Sequence, residues 1–375
     1  MKYFNKMLDT VCTRAPSIFS AIMFLFTFNI CFSQIPDQPT FKLFLIGDAG
    51  ESDSIGATLK QLKVKLEANP NSAVIFLGDN CYTGSILGIA SLNVGGYDGT
   101  PLANERLMGQ LNILRDYKGS AYFIPGNHDW FNKTNLKKGK RHLLEEENFI
   151  EDTLKKFTSL KNHNEEFFLP SKGNPGPISL DFNGGKTRII FIDTYRLIIE
   201  ESHMRGNRDT ALLNKFYYDL KSQLNDASAK KEKIIVVAHH PIHAKGNHSL
   251  PLIFWEKLVR RFANSNVNYP AYQKTAVQLD SLLKAHHHPD VYYVAGHEHA
   301  LEYFFNDSLH YIISGAGCKT DNVLTESSDT EAEFLAWKEE GFFEIDFYGR
   351  YETVLLYHRK SDETELKVKC VAGCK

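Results

Sequence analysis

The stretch SAVIFLGDNCY, residues 72–82, decides how the rest of the chain is interpreted. Its first half is a short apolar run with β-branched residues, which is typical of a buried strand. Its second half leaves that strand and at once presents Asp79, Cys81 and Tyr82. Three metal-capable side chains within four residues are either a site or an ordinary turn after a core strand.

The same arrangement recurs along the chain. The runs are FKLFLI before GDAG, SAVIFL before GDNCY, AYFIP before GNHDW, TRIIFI before DTY, KIIVVA before HHP, DVYYVA before GHEH and LHYIIS before GAGCK. Helical patterns such as SIGATLKQLKVKLEAN and FYYDLKSQLNDASAKK lie between several of them. Runs this apolar predict strands buried on both faces, and hence an α/β layered protein. Loops at the carboxyl ends of such strands form the ligand crevice, so the polar motifs are predicted to converge on one edge.

Composition narrows the choice of partners. The chain has 375 residues, 43% of them hydrophobic, which is enough for a sizeable core. Lys and Arg number 43 and Asp and Glu 45, so the formal net charge is −2. This balance argues against nucleic acid or an anionic membrane surface as the partner. We expect a small partner that is recognised locally.

The N-terminal residues differ in composition from the rest of the chain. Three basic residues precede the apolar run IFSAIMFLFTFNICF (18–32), and Ser33 and Gln34 follow it. This pattern predicts a signal peptide over residues 1–33, a linker over 34–40 and one domain over 41–375. The mature protein would then be periplasmic or secreted, without stable membrane association. An uncleaved anchor is the alternative, although the run is short for a membrane span of about 20 residues.

Four cysteines remain beyond the predicted leader. They are Cys81, Cys318, Cys370 and Cys374. An even number in an exported chain permits disulfides. The spacing in CVAGCK leaves three alternatives open: a small loop closed by Cys370 and Cys374, pairing with the other two, or free thiols.

The side chains at the strand ends are almost all good metal ligands. They are Asp48, Asp79, Tyr82, Asn127, His128, Asp129, His239, His240, His297 and His299. Carboxylate, phenol, amide and imidazole groups suit hard to borderline ions such as iron, zinc or manganese. The set is too large for one tetrahedral ion, so two ions that share a bridging carboxylate are predicted. Two cations about 4 Å apart can clamp a phosphoryl group and convert water to hydroxide near neutral pH.

Each motif alone is a weak signal, and GHEH is the strongest of them. Alternation along an extended segment would put His297 and His299 on one side, with Glu298 opposite. The order of the motifs is more specific: GDxG, a GDNxxY-like motif, GNHD, AHHP and GHxH, each after its own strand. This order resembles the calcineurin-like metallophosphoesterase superfamily, and within it the purple acid phosphatases of the tartrate-resistant type. The resemblance covers roughly residues 41–317.

The resemblance implies a fold and a ligand set. The fold is a four-layer α/β/β/α sandwich of two mixed sheets. Ferric iron would be held by Asp48, Asp79, Tyr82 and His299. A divalent zinc, iron or manganese ion would be held by Asp79 as the bridge, Asn127, His239 and His297. Independently, a free phenol titrates near pH ~10, so Tyr82 argues for a strongly acidic trivalent ion.

Two histidines are expected to act in catalysis rather than as ligands. His128 is flanked by Asp129, which is expected to hold its ring and favour its protonated form. Such a group can stabilise phosphoryl charge and donate a proton to the leaving alcohol. The resemblance implies a substrate-pocket role for His248, with His243 as the competing candidate. His240 stands where the tartrate-resistant type has tyrosine, a departure expected to alter the pocket wall or substrate preference.

These observations predict an exported dinuclear-metal phosphatase that hydrolyses small phosphate monoesters by metal-hydroxide attack. One alternative is a phosphodiesterase or nucleotide pyrophosphohydrolase with the same metal pair, because the ligands do not reveal the second ester substituent. Another is a non-catalytic secreted binding protein on this scaffold. The presence of all seven ligands argues against the latter.

Overall fold

The computed structural model describes residues 38–51, 56–83, 95–130, 136–162, 165–202, 209–246, 269–286, 291–320, 332–336, 338–348, 352–359 and 368–371. The predicted signal peptide and most of the predicted linker lie outside these ranges, so both stay predictions. Among the helices of the described ranges, none has the length and apolar character needed to cross a membrane.

Thirteen strands lie within the described ranges and form two mixed sheets. They are β1 (Phe41–Ile46), β2 (Ser72–Phe76), β3 (Ser120–Phe123), β4 (Ile178–Phe182), β5 (Thr187–Phe191), β6 (Lys233–Val237), β7 (Val291–Ala295), β8 (Leu301–Asn306), β9 (Leu309–Ser314), β10 (Phe334–Ala336), β11 (Gly341–Tyr348), β12 (Glu352–Arg359) and β13 (Val368–Val371). The first sheet has the order β13-β12-β11-β1-β2-β3 and the second β10-β8-β9-β7-β6-β5-β4. Every apolar run identified in the sequence forms a strand, with bounds within two residues of the prediction.

Six α-helices accompany the sheets in the described ranges. They are α1 (Ala57–Ala68), α2 (Pro101–Asn112), α3 (Leu136–Leu154), α4 (Thr194–Glu201), α5 (Thr210–Ala229) and α6 (Pro270–Lys284). Local chemistry sets their starts: the Thr100 side chain accepts a hydrogen bond from Ala103 N, and Asp193 caps α4 in the same way. Helix α5 begins earlier than FYYDLKSQLNDASAKK suggests, because Asp209 accepts from Leu212 N and caps a longer helix.

Three apolar layers hold the sheets and helices together. Phe44, Leu62 and Leu107 belong to the core between the first sheet and α1–α3. The middle core, which includes Leu45, Ile75 and Val237, fills the space between the two sheets. A third core lies between the second sheet and α5 and α6. The architecture is therefore α/β/β/α, as the resemblance implies.

Parallel pairing places the carboxyl ends of the strands that precede the polar motifs at one edge of the sheets. Strands β1, β2 and β3 run parallel in the first sheet, and β5, β6, β7 and β9 run parallel in the second. The loops after these strands meet across the two sheets: Gly47 N donates to Ser314 O at 2.6 Å, and Gly317 N donates to Gly47 O at 3.0 Å. This edge carries the polar motifs.

Candidate metal centre

The first group of predicted ligands surrounds the phenol of Tyr82. The Tyr82 hydroxyl lies 2.9 Å from Asp48 Oδ1 and 3.1 Å from Asp79 Oδ2. His299 Nε2 lies 3.6 Å from Asp48 Oδ1. These four residues come from the loops after β1, β2 and β7, and the structure brings them into one cluster.

The second group surrounds the ring of His239. His239 Nε2 lies 3.4 Å from Asp79 Oδ2, 3.2 Å from Asn127 Oδ1 and 3.2 Å from His297 Nδ1. His239 Nδ1 lies 2.8 Å from Leu77 O. A carbonyl oxygen only accepts, so Nδ1 carries the proton and Nε2 is the atom directed to a metal.

Asp79 lies between the two groups. Its Oδ2 touches Tyr82 on one side and His239 on the other, and the side chain is buried. These contacts place Asp79 between the Tyr82 group and the His239 group, which is the position that a bridging ligand would need. Metal-capable atoms of Asp48, Asp79 and His239 lie within 4.8 Å of one another, as do those of His239, His240 and His297.

The charges of this cluster are strongly coupled. Burial alone would lower the pKa of His239, but the adjacent Asp79 carboxylate raises it to about 9. Burial opposes ionisation of Asp79, yet His239 and His128 hold its pKa well below the usual range. Each of these two groups therefore favours the charged form of the other, and ligation of a cation by His239 Nε2 requires that this nitrogen carry no proton.

Three of the predicted ligands have a left-handed backbone. Asp48, Asp79 and His297 have φ of +54°, +52° and +73°. Left-handed conformations of residues other than glycine are costly and cluster at functional sites. A Cβ on Gly126 would lie 2.3 Å from Asp79 N, so only glycine allows the loops after β2 and β3 to approach this closely.

GHEH does not form the predicted extended segment, although Glu298 does lie apart from the two histidines. Strand β7 ends at Ala295 and His297 has a left-handed backbone, so the motif is a bend and not an extended segment. A hydrogen bond of 2.7 Å from His297 N to Asp48 Oδ2 holds this bend. Glu298 does leave the cluster: its carboxylate packs on the backbone of Gly246.

Asp129 has a different role from the one predicted. Its carboxylate accepts hydrogen bonds from the backbone N–H groups of Asp79 (2.9 Å), Asn80 (2.9 Å) and Gly126 (2.7 Å). The prediction that Asp129 holds the His128 ring is therefore wrong. It ties the loop after β2 to the loop after β3. Burial, followed by the Asp79 charge, raises the pKa of Asp129 to about 7.

His128 lies at the edge of the cluster. Its backbone N–H donates to Asp79 Oδ1 at 2.8 Å, and its ring centroid is 4.7 Å from that of Tyr82. His128 Nε2 lies 3.9 Å from Asp79 Oδ2. The side chain is 15% exposed, whereas that of Asp79 is 3% exposed, so His128 can reach a ligand that arrives from solvent.

The other candidate histidines are placed differently. His248 lies outside the described residues, and its role stays a prediction. His243 Nε2 lies 3.8 Å from Asp280 Oδ1, and its ring packs at 4.6 Å on that of Tyr311. Both partners belong to the helix-covered face of the second sheet, so the structure does not bring His243 into the cluster.

The loop after β9 contributes residues that the sequence analysis did not assign. Lys319 Nζ lies 3.3 Å above the centroid of the Tyr82 ring and 3.0 Å from Glu51 Oε2. Cys318 Sγ donates to Asp48 O at 2.9 Å. The available signal was that GAGCK follows a parallel strand and so ends at the same edge. The ammonium over the ring stabilises a negatively charged phenolate.

Cys81 and Cys318 are free thiols. Burial raises the pKa of Cys81, and it raises that of Cys318 to about 12, so neither is a reactive thiolate. The side chains of Cys370 and Cys374 lie outside the described residues, and the alternatives for that pair stay open.

The donors present fit two cations. Oxygen and nitrogen ligands converge from both sheets, a buried carboxylate stands between the two groups, and the second nitrogen of His239 is already oriented by a carbonyl. A four-layer sandwich with such a ligand set at the common edge of its sheets is the architecture of a metallophosphoesterase.

The comparisons with known proteins agree with this class. The family model for calcineurin-like phosphoesterases matches residues 41–315, and the chain belongs to that family. Members of this family bind two metal ions. No curated protein matches the chain.

Several solved structures are similar. One is GAP50, the anchor in the inner membrane complex of Plasmodium, with a TM-score of 0.54 and 17% identity over 89% of this chain and 90% of that one. A dimetal phosphatase from Danio rerio has a TM-score of 0.47 and 12% identity over 88% and 99%. Purple acid phosphatase PPD1 from yellow lupin has a TM-score of 0.49 and 14% identity over 87% and 52%. At these identities the likeness shows the fold alone.

Proposed function

We propose that the protein is an exported dinuclear-metal phosphatase that hydrolyses small phosphate monoesters. The observation that carries the proposal is the convergence of seven ligand-type side chains, with Asp79 between the two groups. Membership in a phosphoesterase family supports the ester-hydrolysing class. The leader-like residues 1–33 support export to the periplasm or the medium.

Two bound cations would clamp the phosphoryl oxygens of the substrate and lower the pKa of coordinated water. One cation would be held by Asp48, Asp79, Tyr82 and His299. The other would be held by Asp79, Asn127, His239 and His297. Asp129 keeps the two ligand loops at a fixed separation. His128, at the solvent-facing edge, is placed to donate a proton to the departing alkoxide oxygen.

The Tyr82 environment supports ferric iron as one of the cations, with zinc, iron or manganese as the divalent partner. Burial, followed by the Asp48 and Asp79 charges, raises the pKa of Tyr82 well above its usual value. A weakly acidic divalent ion would not displace that proton near neutral pH, whereas a trivalent ion stabilises the phenolate strongly. Lys319 above the ring favours the same form.

Tyr82→Phe is expected to abolish a visible ferric–phenolate charge-transfer band in the iron-loaded protein. The substitution removes the only oxygen of this side chain while the ring keeps its packing. Absorption spectra before and after the substitution test it. Tyr117→Phe is the matched control, because Tyr117 is equally buried and its hydroxyl contacts Ser72. A wild-type protein that binds iron without such a band would remove the argument for ferric iron.

A substrate panel tests the reaction itself. Protein recovered from the extracytoplasmic fraction, with the leader removed, is assayed against phosphate monoesters, diesters and nucleoside triphosphates. We expect monoesters to have the highest kcat/KM. Strong turnover of diesters or nucleotides with negligible monoester hydrolysis would show that the protein is a phosphodiesterase or pyrophosphohydrolase instead.

The same preparation tests export. Recovery of the protein only with the cytoplasmic fraction would contradict export.

A further inference from the structure

His240 follows the predicted ligand His239 directly and is itself buried in the wall of the metal centre. Its ring centroid lies 4.5 Å from that of His297 and 4.9 Å from that of His239. Tyr272 packs edge-on against the His240 ring at 5.3 Å. His240 therefore fills the space between the ligand His297 and the helical layer.

Thr194, the first residue of α4, holds His240 at two atoms. Thr194 Oγ1 accepts a hydrogen bond from His240 N at 3.1 Å, and it lies 2.9 Å from His240 Nδ1. Asp193 caps α4, and its other carboxylate oxygen accepts from Trp130 Nε1 at 2.9 Å. The hydroxyl of Thr194 is thereby placed by a capped helix start.

Two tyrosines hold the same turn from the other side. The Tyr293 hydroxyl donates to His240 O at 2.8 Å, and the Tyr272 hydroxyl donates to Pro241 O at 2.7 Å. Both tyrosines are buried. The backbone N–H, the backbone carbonyl and the ring of His240 are thus each anchored by a side-chain hydroxyl.

His297 needs such support. Its φ of +73° is costly for a residue with a Cβ, and a hydrogen bond from its N–H to Asp48 Oδ2 anchors the backbone from the metal side. The closest aromatic ring to that of His297, among those described, belongs to His240. A shift of the His240 ring would leave His297 room to turn away from Asn127 and His239.

We propose that Thr194 and His240 are positioning residues that hold His297 in its ligating orientation, and that they do so selectively for the cation held by His239 and His297. Groups behind metal ligands orient them, and their loss typically costs about 10- to 100-fold in metal affinity. The inference rests on the two-metal part of the proposed function and adds residues that act on one of the two ions.

Thr194→Val tests the inference, since valine keeps the shape of threonine and removes the hydroxyl. Co²⁺ is titrated into the metal-free protein, with competition by a chromophoric chelator for affinity and visible absorption for ligand geometry. The expected result is one Co²⁺ bound as in the wild type and the other bound about 10- to 100-fold more weakly, with an altered spectrum.

The matched control is Thr275→Val on α6. Thr275 is also buried, and its hydroxyl donates to Ala271 O within the helix. His240→Phe provides a second route if Thr194→Val does not fold, because it keeps a ring against His297 and removes the hydrogen-bonding nitrogens. The same selective loss is expected.

Three outcomes are decisive. Wild-type affinity and spectrum at both ions in Thr194→Val and His240→Phe would overturn the inference, and so would equal weakening of both ions. A wild-type protein that binds no pair of Co²⁺ ions would instead contradict the proposed function. Because metal affinity is measured without turnover, the two failures are distinguishable.

Discussion

Asp79→Ala is expected to remove both metal ions and all measurable activity. The Asp79 carboxylate contacts both ligand groups, through the Tyr82 hydroxyl and through the His239 ring. Its loss deprives each ion of a charged ligand and leaves no group between them. The loss of activity should exceed the ~10²- to 10³-fold cost of removing a single charge-stabilising donor, because the cations supply both the electrostatic clamp and the nucleophile.

In Asp79→Ala, the effect of losing a metal ligand must be separated from the effect of placing alanine in a strained backbone conformation. Asp79 has a φ of +52°, a conformation that alanine tolerates less well than aspartate or asparagine. Asp307→Ala is the matched control, because Asp307 has a φ of +50° and lies between β8 and β9 at the surface. Asp79→Asn keeps the shape and the tolerance for this backbone while it removes the charge.

Metal content by elemental analysis and the melting temperature of the metal-free protein are the measurements. We expect Asp307→Ala to keep two ions and full activity, and Asp79→Asn to fold while it loses at least one ion. Two tightly bound ions in Asp79→Asn, together with unchanged turnover, would contradict the bridging role.

The position of the metal centre follows from the sequence because two elementary rules act together. Apolar runs such as 72–77 predict buried parallel strands, and parallel strands deliver their following loops to one edge. The seven ligand types at those ends were therefore predictable as a cluster. Their division around Asp79 needed the resemblance, since spacing along the chain does not tell which loops become neighbours in space.

The errors have a common physical origin. The neighbour of His128 in the chain is Asp129, but the carboxylate turns towards the N–H groups of Asp79 and Asn80 in another loop, because unpaired backbone donors in a buried turn are costly. Lys319 pairs with Glu51 across more than 260 positions of the chain and lies over the ring of Tyr82. Such long-range pairs depend on how the two sheets pack against each other. A local sequence pattern does not predict that packing.

His128→Ala is expected to keep both metals and to lower kcat by roughly 10²-fold or more, on the scale of general acid catalysis. The ring of His128 contacts the cluster only at its edge, with Nε2 3.9 Å from Asp79 Oδ2, whereas its backbone N–H makes the shorter hydrogen bond to Asp79. Alanine preserves that backbone bond. Metal binding should therefore survive while proton transfer is lost.

The leaving group makes this prediction specific. An alkyl phosphate must have its departing alkoxide protonated, whereas a nitrophenolate leaves without a proton. The loss of kcat in His128→Ala should therefore be larger for alkyl than for nitrophenyl esters. His243→Ala is the control, since His243 lies against Asp280 and Tyr311 on the helical face. An equal loss for both ester types, or a loss of metal, would show that His128 acts on binding and not on proton transfer.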